Sequence, residues 1–477
     1  MITSNAPLAV VLAAAIAVTL ASCVSAPPPA RGPATAAPTQ EKPKPGTVTA
    51  KPTTEDVLKN VSASLAAGNM DAAIAAFDAL DAAAAADPSI RLIKASVLAS
   101  AGKVEDARAI AADVVAKEPN NAEALYVLAA AEGAAGREKE RIDLLNRAAA
   151  ADPRHAPTLA ALGATALRAK SYKNAEAYFD KCLAADPVNA DALLGKARLR
   201  RRADDPAAAE AALKIATENY PTWADPWAER GRLNRDAGLL PKALADLDTA
   251  VKLAPKDYWI AIDRGSVLLD MDRKTEALKD FDRAAAIDPA HFLSYVYSAG
   301  IRDELGDYAG AERDYALLAK LKPDYYFAFE ALGILRMRDG RWEASREAFM
   351  EAYKRSPSHA NYALLTALAW MRARGANDAK PFLAKTLTTV PRESIEWYLL
   401  RLYHDQSGDT DVVVRIDKEK NKDTKARMLY YLTQYYAFRG NDQLADRFLR
   451  EARDMDRKGI VEWRLIEWAL EARTAKG

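Results

Sequence analysis

From residue 54 onward, apolar side chains return every three or four positions, stop at a short polar turn, and start again. In APTLAALGATALRAKSYKNAEAYFDKCLAADPVN (156–189), Leu159, Leu162 and Gly163 fall on one face of a first helix. Ala175 and Phe179 fall on one face of a second, and Lys170-Ser171-Tyr172 makes the turn between them. There is little of the strict alternation that a half-buried strand needs, so the pattern predicts an all-α protein. Prolines stand at 119, 153, 187, 221, 255, 289, 323, 357 and 391, each 34 residues after the last. A length of 477 residues would ordinarily imply about three globular domains, but a fixed period of this size means stacked repeats instead. Units start at 54, 88, 122, 156, 190, 224, 258, 292, 326 and 360.

The unit carries its own mechanical logic. Two antiparallel helices approach closely only where side chains are nearly absent, and Gly163 with Ala175 can meet in this way. The same positions hold Gly231 with Ala243, Gly265 with Ala277, Ala299 with Ala311 and Gly333 with Ser345. Phe179, Leu213, Leu247, Phe281, Tyr315 and Phe349 then reach from the second helix toward the neighbouring hairpin, so each unit completes its core only in company. Pro187 has no N–H, stops the second helix and directs the backbone into the next unit, and Asp186 can accept hydrogen bonds from free donors in that turn.

A 34-residue helical hairpin with an aromatic or Leu, then Leu-Gly, then Ala, an aromatic or Leu, Ala and Pro at fixed offsets resembles the tetratricopeptide repeat. The unit 224–257 shows it with Trp227, Gly231, Ala243, Leu247, Ala250 and Pro255. The resemblance covers residues 54 to about 459 and implies a right-handed superhelical solenoid of about twelve hairpins: ten regular ones over 54–393 and two degenerate ones over 394–459. The first unit lacks its proline. Residues 394–425 keep Trp397, Leu400 and Gly408 but put Val413 and Asp417 where Ala and an aromatic belong. The register returns two residues early with Leu429, Leu432, Ala445, Leu449 and Ala452. Residues 460–477 predict a capping helix, with Val461, Leu465 and Trp468 on one stripe and Trp463, Ile466 and Leu470 beside it. Its two tryptophans exceed what a cap demands, which leaves a homodimer contact through this helix open.

The N-terminus reads as an address. LAVVLAAAIAVTL (8–20) has the length of a signal-peptide core and is short for a membrane span. The following Leu20-Ala21-Ser22-Cys23 resembles the lipobox of bacterial lipoproteins, which implies cleavage of residues 1–22 and acylation of Cys23. Two or three acyl chains anchor a protein that one would hold only marginally. The segment before the apolar run, MITSNAP, contains no Lys or Arg, a departure from the usual pattern. Val24 at the next position, where Asp would imply inner-membrane retention, points to the outer membrane, with the leaflet unspecified. Residues 23–53 hold eight prolines and almost no large apolar side chain, and so predict an extended tether that holds the repeats off the membrane.

Charge narrows the function classes. Lys and Arg number 67 against 66 Asp and Glu, which lacks the basic footprint of a nucleic-acid binder. Cys182 is expected to be buried and inert, and with Cys23 it makes no disulfide framework. His155, His291, His359 and His404 are scattered. No Gly-rich phosphate loop, paired metal-spaced histidines or nucleophile signature is present, so neither an enzyme nor a bound cofactor is expected.

In the tetratricopeptide family the first helices line a concave groove. Its facing positions, carried over to this sequence, give a basic set of Arg168, Arg198, Arg201, Arg202, Arg232 and Arg235, partly neutralised by Asp191, Asp225 and Asp236. Guanidinium forks suit carboxylates, so an acidic peptide or the C-terminus of an extended polypeptide would fit. Further on, the same positions give an apolar set: Trp259, Ile262, Leu293, Val296, Phe327, Ile334, Met337, Leu364, Leu368 and Met371. Such positions face water unless a partner helix or neighbouring units cover them. The family's Lys/Asn clamp for chaperone tails is not matched. These features lead to the expectation of a lipid-anchored envelope scaffold that binds proteins or peptides in its groove, with a ligand-binding accessory of a transport or secretion system as the alternative.

Overall fold

The computed structural model describes residues 52–474. The expected leader, Cys23 and all but the last two residues of the expected tether lie outside that range. The protein divides into two compact units, the first ending at Pro255 and the second starting at Lys256. Among the described residues every regular element is helical.

Unit 1 contains α1 (Thr54–Ala66), α2 (Met70–Ala76), α3 (Ala82–Ala86), α4 (Pro88–Ser100), α5 (Val104–Lys117), α6 (Ala122–Ala134) and α7 (Glu138–Ala151). It continues with α8 (Ala156–Arg168), α9 (Tyr172–Ala185), α10 (Ala190–Arg202), α11 (Pro206–Asn219), α12 (Ala224–Asp236) and α13 (Leu240–Leu253). Unit 2 opens with α14 (Tyr258–Asp270), α15 (Lys274–Ile287), α16 (Leu293–Glu304), α17 (Tyr308–Leu321), α18 (Tyr326–Arg338) and α19 (Trp342–Arg355). It ends with α20 (Ala360–Arg374), α21 (Ala376–Leu387), α22 (Ile395–Asp405), α23 (Asp409–Lys418), α24 (Lys422–Phe438), α25 (Asp442–Asp454) and α26 (Trp463–Thr474). Consecutive helices pack as antiparallel hairpins, and within each unit one hairpin stacks on the next.

The proline period acts through the residue directly ahead of each of the first eight periodic prolines. Glu118, Asp152, Asp186, Tyr220, Ala254, Asp288, Lys322 and Ser356 close their helices with φ between −126° and −138°. A following proline disfavours the helical region at these residues. At Asp186 the carboxylate then accepts from Val188 N at 3.3 Å and Asn189 Nδ2 at 3.1 Å, while Asn189 Oδ1 caps the next helix by accepting from Ala192 N at 3.1 Å.

The helical glycines Gly163, Gly231, Gly265 and Gly333 each face a large side chain of the second helix, Phe179, Leu247, Phe281 and Phe349, and Ser345 also meets its expected partner, donating to Gly333 O at 2.8 Å. Phe179 is fully buried between Gly163 of its own hairpin and Gly195 of the next. A methyl group on Gly163 would stand 2.5 Å from the Phe179 ring, and one on Gly195 closer still. The ring therefore fills the space that both missing side chains leave, and so joins two hairpins. Cys182 lies one turn beyond, buried, with its thiol donating to Ala156 O at 3.2 Å and its pKa pushed up to about 12 by burial.

The fold departs from its period at both ends. The second helix of the first hairpin breaks at Leu80, which is extended at ψ 146°; Asp81 then caps α3, whose five alanines bury nothing. In the eleventh hairpin Gly408, at φ 91°, starts a helix of only 10 residues. Val412 and Ile416 are the buried positions there, one residue ahead of the expected Val413 and Asp417. Leu429, Leu432, Ala445, Leu449 and Ala452 are all fully buried in the last hairpin.

Candidate functional site

In unit 1 successive first helices (α4, α6, α8, α10, α12) pack on one another, which successive second helices do not do to the same extent. Helices that stay in mutual contact along a stack lie on its shorter side, so the first helices form the inner face. That face carries the predicted arginines, and the structure organises three of the six around a residue the sequence reading did not single out. Glu229 on α12 is 1% exposed. Its carboxylate accepts from Arg198 Nε at 3.1 Å, Arg201 Nε at 3.1 Å and Arg232 at 2.9 Å. Arg201 also reaches Asp236 at 2.8 Å. Burial alone would raise the Glu229 pKa, but Arg232, Arg198 and Arg201 outweigh it and hold the carboxyl below its ordinary range. Asp191 on α10 goes the other way: burial pushes its carboxyl up against the pull of Arg198.

Three guanidiniums meet on the Glu229 carboxylate, and Arg201 divides its contacts between Glu229 and Asp236. Arg202 is exposed and lies 4.5 Å from the Tyr172 ring centre, a cation–π contact. Arg168 is exposed and bonds Glu138 at 3.4 Å, one hairpin back. Arg235 is half-buried near the end of α12. Arg198, Arg201 and Arg232 thus form one cluster on Glu229, with Asp236 on Arg201, while Arg168 and Arg202 meet Glu138 and Tyr172 instead.

The apolar set in unit 2 divides. Trp259 and Phe327 are exposed, at 37% and 49%. Trp259 stands edge-on to Tyr258 and His291, and Phe327 stacks on Tyr326 at 4.2 Å. Leu293 and Val296 are half-buried. Ile262, Ile334, Met337, Leu364, Leu368 and Met371 are buried, which corrects the expectation that they line an open groove. The last five belong to a core that the closing helices complete: α20 packs against α22 and α24, and Tyr430 of α24 sets its hydroxyl 3.8 Å from Met337 Sδ. Neighbouring units, rather than a partner helix, cover these positions.

Sequence reasoning also missed a set of buried ion pairs. Arg230 bonds Asp246 at 2.6 and 3.1 Å, and Arg264 bonds Asp280 at 2.6 and 2.7 Å. Asp314 takes the equivalent place with Ser298 at 2.7 Å and Arg302. Asp246, Asp280 and Asp314 are spaced by 34, and that spacing was the available signal.

Small-molecule chemistry finds little footing. A cleft of about 480 Å³ lined by Pro206, Glu210, Arg230, Asn234 and Asp246 opens in unit 1, but Arg230 there is committed to Asp246 and to the Trp227 ring, 4.7 Å away. Among the described residues no group of His, Cys, Asp and Glu could hold a metal ion. The histidines have local partners: His155 has Glu123 and Thr158, His291 has Tyr258, His359 has Ser356 and His404 has Asp405.

Two family models, both of the tetratricopeptide repeat, match the protein, one over residues 166–233 and the other over 92–156, 262–326 and 330–379. The chain belongs to the tetratricopeptide-repeat family. No curated protein matches it. Among solved structures, pilF of Pseudomonas aeruginosa is 18% identical, with 43% of this chain and 94% of that one covered at a TM-score of 0.39. YrrB, described as a tetratricopeptide-repeat protein with an unusual peptide-binding site, is 17% identical over 41% of this chain and 98% of its own, at 0.34. MamA of Desulfovibrio magneticus is 19% identical over 36% and 96%, at 0.32. Tetratricopeptide repeats serve as protein-interaction scaffolds, and these hairpins supply the repeat surface for that role.

Proposed function

We propose that this protein is a lipid-anchored adaptor of the bacterial envelope whose unit 1 binds an acidic segment of a partner protein. The observation that carries the reading is the convergence of Arg198, Arg201 and Arg232 on the single buried carboxylate of Glu229. Positive charge held on a preformed scaffold loses little side-chain freedom on binding, which favours bidentate capture of carboxylates. The LASC sequence at 20–23 and the proline-rich stretch behind it support the anchor and its reach. None of the described helices is long and apolar enough to cross a membrane. On the strength of the LASC sequence, the reading places attachment in the acyl chains on Cys23.

Two experiments test the two halves. Cys23→Ser is expected to move the protein from the membrane to the soluble fraction, and retention in the membrane would sink the anchor. Arg202→Glu, at an exposed position away from Glu229, is expected to weaken capture of envelope partners about tenfold or more. Recovery of the same partners in the same yield would sink the acidic-segment reading.

A further inference from the structure

The C-terminal helix does more than cover the last hairpin. Capping is the task of Trp463, Leu465 and Ile466, which are buried in the closing core. On its other side α26 reaches back across three hairpins. Arg464 donates to both carboxylate oxygens of Asp303, at 2.6 and 2.7 Å, at the end of α16. Trp468 stands edge-on to Tyr308 at the start of α17, with ring centres 5.6 Å apart. Arg338, the last residue of α18, lies 4.0 Å from the Tyr308 ring centre and 5.5 Å from that of Trp468. Arg464 lies 4.5 Å from Trp468, so the indole takes a guanidinium from its own helix and another from the receiving face.

The receiving patch, Asp303, Tyr308 and Arg338, belongs to regular repeats and owes nothing to the last hairpin. Its chemistry is specific. A largely buried carboxylate at the negative end of α16 selects a cation, and a fork that meets both oxygens selects arginine over lysine. A tyrosine with a guanidinium beside it selects a flat aromatic one helical turn further on. The charge pair is also exchangeable, because the Arg464 side chain keeps 33% of its surface in water, where an ion pair contributes modestly. Residues 455–462, which contain the left-handed Asp456 at φ 49°, link α26 to α25.

The geometry points to this patch as a docking surface for an amphipathic helix of a partner protein that carries arginine four residues ahead of tryptophan, with α26 as its tethered resident. This builds on the reading of the array as a protein-binding scaffold but is independent of the basic face of unit 1 and of the anchor. A short tether holds a resident at an effective concentration on the order of millimolar, so a partner helix of equal intrinsic affinity is excluded until α26 is released. The resident thus sets a threshold that a competing helix must exceed.

The test uses the full-length protein and a fluorescent peptide of residues 461–474. The Arg464→Glu, Trp468→Ala protein is expected to bind the peptide at least about tenfold more tightly than wild type, because its resident no longer competes. Asp303→Lys in the otherwise wild-type protein, which repels the resident's own Arg464, is expected to abolish binding of this peptide and to permit binding of a peptide carrying Arg464→Glu. Circular dichroism reports whether the variants keep their helix content, and Arg464→Ala alone replaces the double variant if they do not. Equal binding by wild type and variant, or no saturable binding by either, overturns the proposal. So does a wild-type dimer that Arg464→Glu dissolves, which would make a second copy's α26 the occupant. Loss of envelope partners through Arg202→Glu leaves this result unchanged, so the two readings fail separately.

Discussion

Units 1 and 2 are built from the same 34-residue hairpin and end in opposite conditions. In unit 1 part of the buried charge is settled between adjacent hairpins: Arg198 and Arg201 of α10 meet Glu229 of α12, and Arg108 of α5 meets Glu132 of α6. The inner face stays open and polar. In unit 2 the final helices close over the first-helix face, and contacts join residues far apart in sequence, Tyr430 with Met337 and Arg464 with Asp303. The repeat motif specifies a hairpin and its nearest neighbour. Residues that break the motif decide whether the face remains available.

The largest expected effect separates local from long-range dependence. Phe179→Ala in unit 1 and Phe349→Ala in unit 2 each empty a fully buried site, at a cost of about 3–5 kcal/mol. Hydrogen exchange should confine the damage from Phe179→Ala to the hairpins around its ring, whereas Phe349→Ala should also speed exchange in α26, which shares its core. Unchanged protection of α26 would remove the distinction.

Next in size is Glu229→Gln. It leaves three arginines without their shared anion, and because they keep some contact with water the cost is about 1–3 kcal/mol, read as a lower denaturation midpoint. An unchanged midpoint would mean that their other partners, such as Asp236 on Arg201, and water satisfy the three guanidiniums.

Acidity sharpens the comparison further. Glu229 is held below its ordinary carboxylate pKa, so its contribution is present above the unfolded value and lost as pH falls through the lowered folded one. Glu462, just ahead of α26, is fully buried. Burial raises its pKa against the donated Tyr431 hydroxyl at 2.7 Å and the Arg427 charge, with Glu330 reinforcing the rise. Its contribution is complete below the unfolded value and is lost as pH climbs through the raised one. Acid should therefore loosen α12, and higher pH should loosen the junction into α26. Site-resolved exchange across a pH series measures both, and parallel trends at the two places would refute this account.

The smallest effect belongs to Arg202→Glu, whose stability should stay within about 0.5 kcal/mol of wild type by thermal denaturation because the side chain is exposed. A larger loss would give Arg202 a structural role and weaken its use as a probe of partner binding.

Much of the fold was legible because one period carried it: proline steers the preceding residue out of the helix, and glycine leaves room for Phe179. The resemblance to the tetratricopeptide repeat, carried over position by position, supplied the arginines of the inner face. It could not give Glu229, an acid whose importance depends on arginines from two helices. Nor could it separate Phe327, left exposed, from Met337, buried beneath Tyr430 a further 93 residues along. Periodicity assigns both to the inner face, and only the path of the backbone after Pro391 decides which one is covered. The second tryptophan of the last helix was the one sequence sign of that path, since capping alone does not use it.

The pairs Arg230–Asp246 and Arg264–Asp280 each close inside a single hairpin, with donor and acceptor 16 residues apart. A module whose buried charge is balanced internally makes no electrostatic demand on the module beside it. Block duplication or deletion leaves these two pairs intact, whereas loss of the α10–α11 hairpin would strand the buried Glu229 of α12, so array length can change freely only where buried charge closes within one repeat.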